Sequence, residues 1–148
     1  MVYHVFTPVA LGIFMNFNIY YFKINRGSNS TGMQQRKNPL IPPGYVIGPI
    51  WVFLLGCMGM AHYIASISTV ASQTNYAVLC LEFLIAFSIL YPILTGLKNN
   101  SYFFLLLSLA ITLGTSLIVR FYSLSAFYYL VPLILWVIYV NIATYLYI

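Results

Sequence analysis

Four side chains set in otherwise apolar stretches could do chemistry: His4, His62, Glu82 and Arg120. A charged group inside a bilayer is expensive unless it is paired, so each of them calls for a partner. Glu82 is the single acid of the chain, against six Lys and Arg. It lies about two turns into the third apolar stretch, and Arg120 ends the fourth. The tight Lys98–Ser101 connection makes those two stretches antiparallel neighbours, which predicts a Glu82–Arg120 pair, direct or through water. His4 and His62 fall near the same face. In the simplest reading the four residues satisfy one another at the interface. In a sharper one His4, His62 and Glu82 bind a metal or relay a proton, since neutral imidazole and carboxylate are ordinary ligands. No spacing selects that set, so no catalytic residue and no metal ligand is assigned.

The elements that position these groups follow from composition. The 148 residues carry a net charge of +5, and they are 62% hydrophobic, 18% aromatic and only 5% charged. Mean hydropathy is +0.93. A soluble domain has roughly 25% charged residues, so most of this surface must face lipid. The basic residues are scattered at segment ends, which argues for membrane topology and against nucleic acid. No CxxC, HExxH, GxGxxG or GxxxxGK[ST] pattern occurs, and no enzymatic chemistry is expected. Cys57 and Cys80 read as small buried hydrophobes.

A bilayer span needs about 20 apolar residues. Five stretches qualify, at about 2–22, 46–67, 76–97, 102–119 and 126–148, giving an all-α, five-helix integral membrane bundle in one domain. The first has no basic n-region and no small-residue cleavage site, so it reads as a retained helix. Short connections make the helices run up and down. Lys23, Arg26, Arg36, Lys37 and Lys98 then share one side, and Arg120 lies on the other, which predicts a cytosolic first loop. Tyrosines near span ends, such as Tyr45, Tyr76, Tyr102 and Tyr122, read as an interfacial belt. Small residues four apart (Gly44 and Gly48, Ala61 and Ala65, Ala110 and Gly114) suggest close helix packing, inside the bundle rather than at a dimer seam.

The stretch Ile41–Trp51, IPPGYVIGPIW, puts three prolines and two glycines against the second helix. Pro42 and Pro43 hold the chain extended, and Pro49 falls in the first turn or so, where a missing N–H costs little. The result is a rigid ledge at the mouth of the bundle. The loop 23–45 can fold over it as a lid.

This stretch resembles the TspO/MBR family, the tryptophan-rich sensory or translocator proteins. It is similar in Pro42-Pro43, Tyr45, Gly48-Pro49-Ile50-Trp51 and Met58-Gly59, with Pro132, Trp136 and Tyr145 as a second match. The resemblance implies a ligand pocket in the cytosolic half, under the first loop, for tetrapyrroles such as porphyrin and haem, sterols, or other hydrophobic small molecules. Carried over position by position, its lining is Ile47, Trp51, Phe87, Leu90, Tyr102, Leu105, Trp136 and Val140. No cofactor is obligatory.

The departures also matter. Leu40, Leu90 and Tyr102 stand where the family has Trp, Phe87 where it has Asn, and Leu106 where it has an acid. A lining stripped of polar anchors suggests an alternative, an accessory subunit that keeps the fold with a degenerate pocket. The expected setting is multi-pass: a mitochondrial membrane in a eukaryote, the plasma membrane in a bacterium. The partners would be the lipid bilayer and a homodimer or larger membrane complex.

Overall fold

A computed structural model describes residues 1–22, 39–42, 44–68, 74–97 and 101–146. These form five α-helices and, among the described residues, no strand: α1 (Val2–Phe22), α2 (Gly44–Ile67), α3 (Thr74–Leu97), α4 (Ser101–Tyr122) and α5 (Leu124–Tyr145). Within the lid expected over 23–45, residues 23–38 and 43 lie outside this description.

By length and composition four helices can cross a membrane, over Tyr45–Ile67, Tyr76–Leu94, Tyr102–Tyr122 and Leu124–Tyr145. The 21 residues of α1 extend about 31 Å, close to the thickness of a hydrocarbon core. Its asparagines donate their side-chain amides within the helix. Asn16 donates to the Gly12 carbonyl at 2.9 Å and Asn18 to that of Phe14 at 2.8 Å.

The helices form a closed circuit. α1 packs on α2 and α3, α2 on α5, α5 on α4, and α4 on α3, while α2 and α3 also touch directly. Leu54, Leu55, Met58, Leu81, Leu84, Leu130 and Leu133 fill the centre, together with the small residues Ala61, Ala65, Ala77 and Ala126. Lipid tails are as apolar as these side chains, so the fit of their surfaces, rather than escape from water, holds the helices together. The outer surface is lined by large apolar residues, among them Phe6, Phe14, Phe53, Phe83, Leu117 and Leu135.

Of the small-residue pairs, Ala61 and Ala65 are buried in the core. Gly48 and Gly114 have no neighbour within 4 Å of an added Cβ. The closest approach to another helix's backbone is at Gly59, where a Cβ would stand 2.8 Å from Val5 Cα and collide with the His4 carbonyl. Glycine is required there because the obstacle is the α1 backbone.

Two local expectations are corrected. α2 begins at Gly44, so Pro49 is its sixth residue and deprives the Tyr45 carbonyl of its helical donor. The turn expected from Arg120 to Ser125 shrinks to Ser123 alone. Ser123 is extended (φ −152°, ψ 103°), and its Oγ accepts from the Ala126 N–H at 3.3 Å. Its N–H donates to Val119 at 2.7 Å and its carbonyl accepts from Phe127 at 3.1 Å. One residue thus closes α4 and caps α5, and no longer loop is needed.

Candidate functional site

Two regions at opposite ends of the bundle collect the chemistry. At the end where residues 39–42 lead into α2, aromatic side chains from three helices meet the core. The Trp51 ring lies 6.0 Å from that of Tyr91, and the Phe87 ring lies 6.1 Å from it. Trp136 lies 5.8 Å from Tyr139. Both tryptophans are half-buried and pack on the core.

Proline chemistry fixes this arrangement. Pro92 has no N–H, so the Ser88 carbonyl four residues earlier lacks its helical donor. The Trp51 indole takes its place, donating to that carbonyl at 3.3 Å. The Ser88 hydroxyl meets Met58 Sδ at 3.7 Å, a weak acceptor. Tyr139 in turn donates its hydroxyl to the Leu40 carbonyl, tying the ledge before α2 to α5.

The eight residues expected to line a pocket divide. Trp51 and Phe87 converge on Tyr91. Leu105 is buried, and Ile47, Trp136 and Val140 are half-buried. Leu90 and Tyr102 are 48% and 38% exposed, on the outer surface of α3 and α4. Tyr91, Ser88 and Asn141 belong to this region although the motifs did not single them out. The one signal for Ser88 was its spacing from Pro92. Asn141 is 8% exposed. Its amide donates to Val137 at 2.8 Å and to Leu105 at 3.4 Å, while its Oδ1 is buried with no partner.

The opposite end holds the titratable groups. His62 Nε2 lies 3.3 Å from Glu82 Oε1, and His62 Nδ1 lies 2.8 Å from His4 Nδ1. One chain of contacts therefore links α3, α2 and α1. No direct Glu82–Arg120 pair is formed: Arg120 stands over the Phe127 ring, 5.6 Å from its centroid. The physical reason is direction. Phe127 follows the one-residue connection and draws the guanidinium toward α5, a cation–π contact, while His62 reaches Glu82 from α2.

The metal reading finds no support either. Among the described residues no group of three His, Cys, Asp or Glu could hold a metal ion. Both nitrogens of His62 already face partners, so neither is available as a ligand while the chain of contacts persists. Beside it lies a groove of about 370 Å³ between α1 and α3, lined in part by Tyr3, His4, Pro8, Leu11, Glu82 and Ile85. None of the eight sequence-predicted lining residues borders it.

Five helices packed in a closed circuit, four of them able to cross a bilayer, define a multi-pass α-helical membrane protein. Residues 5–148 match the TspO/MBR family model, and the chain belongs to the TspO/MBR family. The resemblance carried by Gly48-Pro49-Ile50-Trp51 thus extends over essentially the whole chain. No curated protein and no solved structure matches it significantly.

Proposed function

We propose that this TspO/MBR-family protein binds a flat hydrophobic ligand, of the tetrapyrrole (porphyrin or haem) or sterol type, between the loop-end halves of its helices. The positive-inside pattern makes that half cytosolic. Binding, not catalysis, is the role. The observation that carries the reading is the aromatic wall of Trp51, Tyr91 and Phe87. With its indole N–H held by Ser88, Trp51 is fixed in orientation and its ring can serve as a stacking surface. A ligand would complete the wall from the side of Trp136 and Val140, with residues 39–42 above it, and Ile47 and Leu105 would close the flanks. Asn141 Oδ1, without a donor, supplies an acceptor for a ligand N–H or O–H once the helices part.

The test is a titration of the purified protein with protoporphyrin, followed by tryptophan quenching and by the Soret band. Saturable binding that weakens about tenfold or more in Trp51→Ala supports the site, that being the usual scale for a buried aromatic anchor. The Soret readout is needed because the variant also removes a fluorophore.

A second reading, an accessory subunit of a larger membrane complex, draws on the outward exposure of Leu90 and Tyr102. No saturation, together with a defined partner chain that co-purifies, would favour it over ligand capture.

A further inference from the structure

We propose that the groove between α1 and α3 is a second ligand site, separate from the loop-end wall, and that it takes a compact lipophilic amine in its protonated form. The two walls differ in chemistry. Pro8, Leu11, Ile85 and the neighbouring Ala86 and Ile89 make the inner part apolar. Tyr3, His4, Thr7, His62 and Glu82 supply the polar part of the lining. The volume of about 370 Å³ falls at the small end of the range of about 300–1,000 Å³ typical of ligand pockets.

The proton inventory selects the head group. A carboxylate only accepts hydrogen bonds, so His62 donates to Glu82 through Nε2–H. With one proton on each imidazole, His62 Nδ1 is then an acceptor and receives the Nδ1–H of His4. The same bookkeeping makes His4 Nε2 an acceptor as well. The polar part of the groove therefore offers the second oxygen of Glu82 and one imidazole nitrogen as acceptors, beside the hydroxyls of Tyr3 and Thr7. A primary ammonium supplies three donors and a positive charge, where an alcohol supplies one donor and no charge.

Charge points the same way. The Glu82 side chain is 57% exposed within the candidate span Tyr76–Leu94, and among the described residues its one ion-pair partner is an imidazole. A carboxylate so placed is costly without a full counter-charge, and Arg120 is turned toward Phe127. The exposed ring of Tyr3 adds an aromatic face, the usual companion of a carboxylate in ammonium recognition. This site does not depend on the porphyrin reading, since the two share no residue.

Three probes of one shape separate the contributions: 1-aminoadamantane, 1-adamantanol and adamantane-1-carboxylate. Each is titrated against the full chain in lipid nanodiscs, with empty nanodiscs as the partition blank, by saturation-transfer NMR. The amine should bind saturably and about tenfold or more tighter than the alcohol, the effect of one desolvated charge pair, and the carboxylate should not saturate. Glu82→Gln should bring the amine down to the level of the alcohol. Ala86→Phe, which fills the apolar part, should remove saturable binding of both. Equal affinity for amine and alcohol on the unaltered protein would overturn the proposal, and that comparison holds even if Glu82→Gln disturbs the bundle. Tight amine binding that survives Ala86→Phe would also overturn it, by placing the amine elsewhere.

Discussion

The indole N–H of Trp51 occupies the carbonyl of Ser88, 3.3 Å away on another helix, at the point where Pro92 withholds the donor that carbonyl would have in an unbroken helix. A helix-breaking residue on α3 thereby becomes an attachment point for α2. The two residues should be energetically coupled. Trp51→Phe should destabilise the protein by about 0.5–1.5 kcal/mol from the lost hydrogen bond, beyond the loss of ring area. In a Pro92→Ala background the restored N–H serves Ser88, and the same change should cost less. A double-mutant cycle on unfolding free energies measures the difference, and strict additivity would refute the link.

Glycines that look alike on α2 should behave differently. At Gly56 an added Cβ would lie 3.7 Å from the Val9 side chain, an ordinary contact. Gly56→Ala should be neutral or stabilising by up to about 1 kcal/mol through helix propensity. At Gly59 the Cβ meets backbone of α1. Gly59→Ala should destabilise by about 1–3 kcal/mol as the helices are forced apart. Thermal unfolding of the two variants side by side checks the contrast. Equal melting temperatures would mean that α1 does not sit on Gly59.

Protons on the histidines should be ordered. With both rings neutral, the contacts assign the Nε2–H tautomer to His62 and the Nδ1–H tautomer to His4. Imidazole ¹⁵N shifts of the labelled protein in bilayers report this directly. Glu82→Gln replaces the carboxylate by an amide that can also donate, so the His62 tautomer preference should weaken. A His62 spectrum indifferent to that change would break the chain at its first contact.

Asn141 presents the reverse situation, a polar group without full satisfaction. Its two amide bonds hold it, one of them long at 3.4 Å, while Oδ1 has no donor. A buried acceptor left open costs about 1–3 kcal/mol, which offsets what the amide bonds contribute. Asn141→Leu should therefore leave stability within about 1 kcal/mol of the parent or raise it. In the proposed ligand role the same variant should weaken protoporphyrin binding. A large loss of stability would instead assign Asn141 a purely structural task.

Tyr139 should control the ledge. Its hydroxyl holds the Leu40 carbonyl. Tyr139→Phe should speed amide hydrogen exchange at Leu40 and Ile41 while the melting temperature changes by only a few degrees, as for one half-exposed hydrogen bond. Unchanged exchange would show that other contacts hold this segment.

Much of the molecule was legible in its residues. With 5% charge there is no polar shell, and the apolar runs are long enough to span, so a helical membrane bundle was the available solution. Short connections imposed antiparallel neighbours, and the Gly48–Trp51 motif marked the family. These properties depend on local composition and on distance along the chain, which a sequence displays directly. Tertiary structure decided the partnerships. Glu82 pairs with His62 and not Arg120, because the choice depends on the rotation of each helix about its axis. That rotation is set by details such as Gly59 seating α1 and Ser123 turning α4 into α5. Leu90 and Tyr102 turn outward for the same reason. A helix whose faces are apolar all round carries no periodic signal to tell core from lipid, so only the packed neighbours fix which side chains meet.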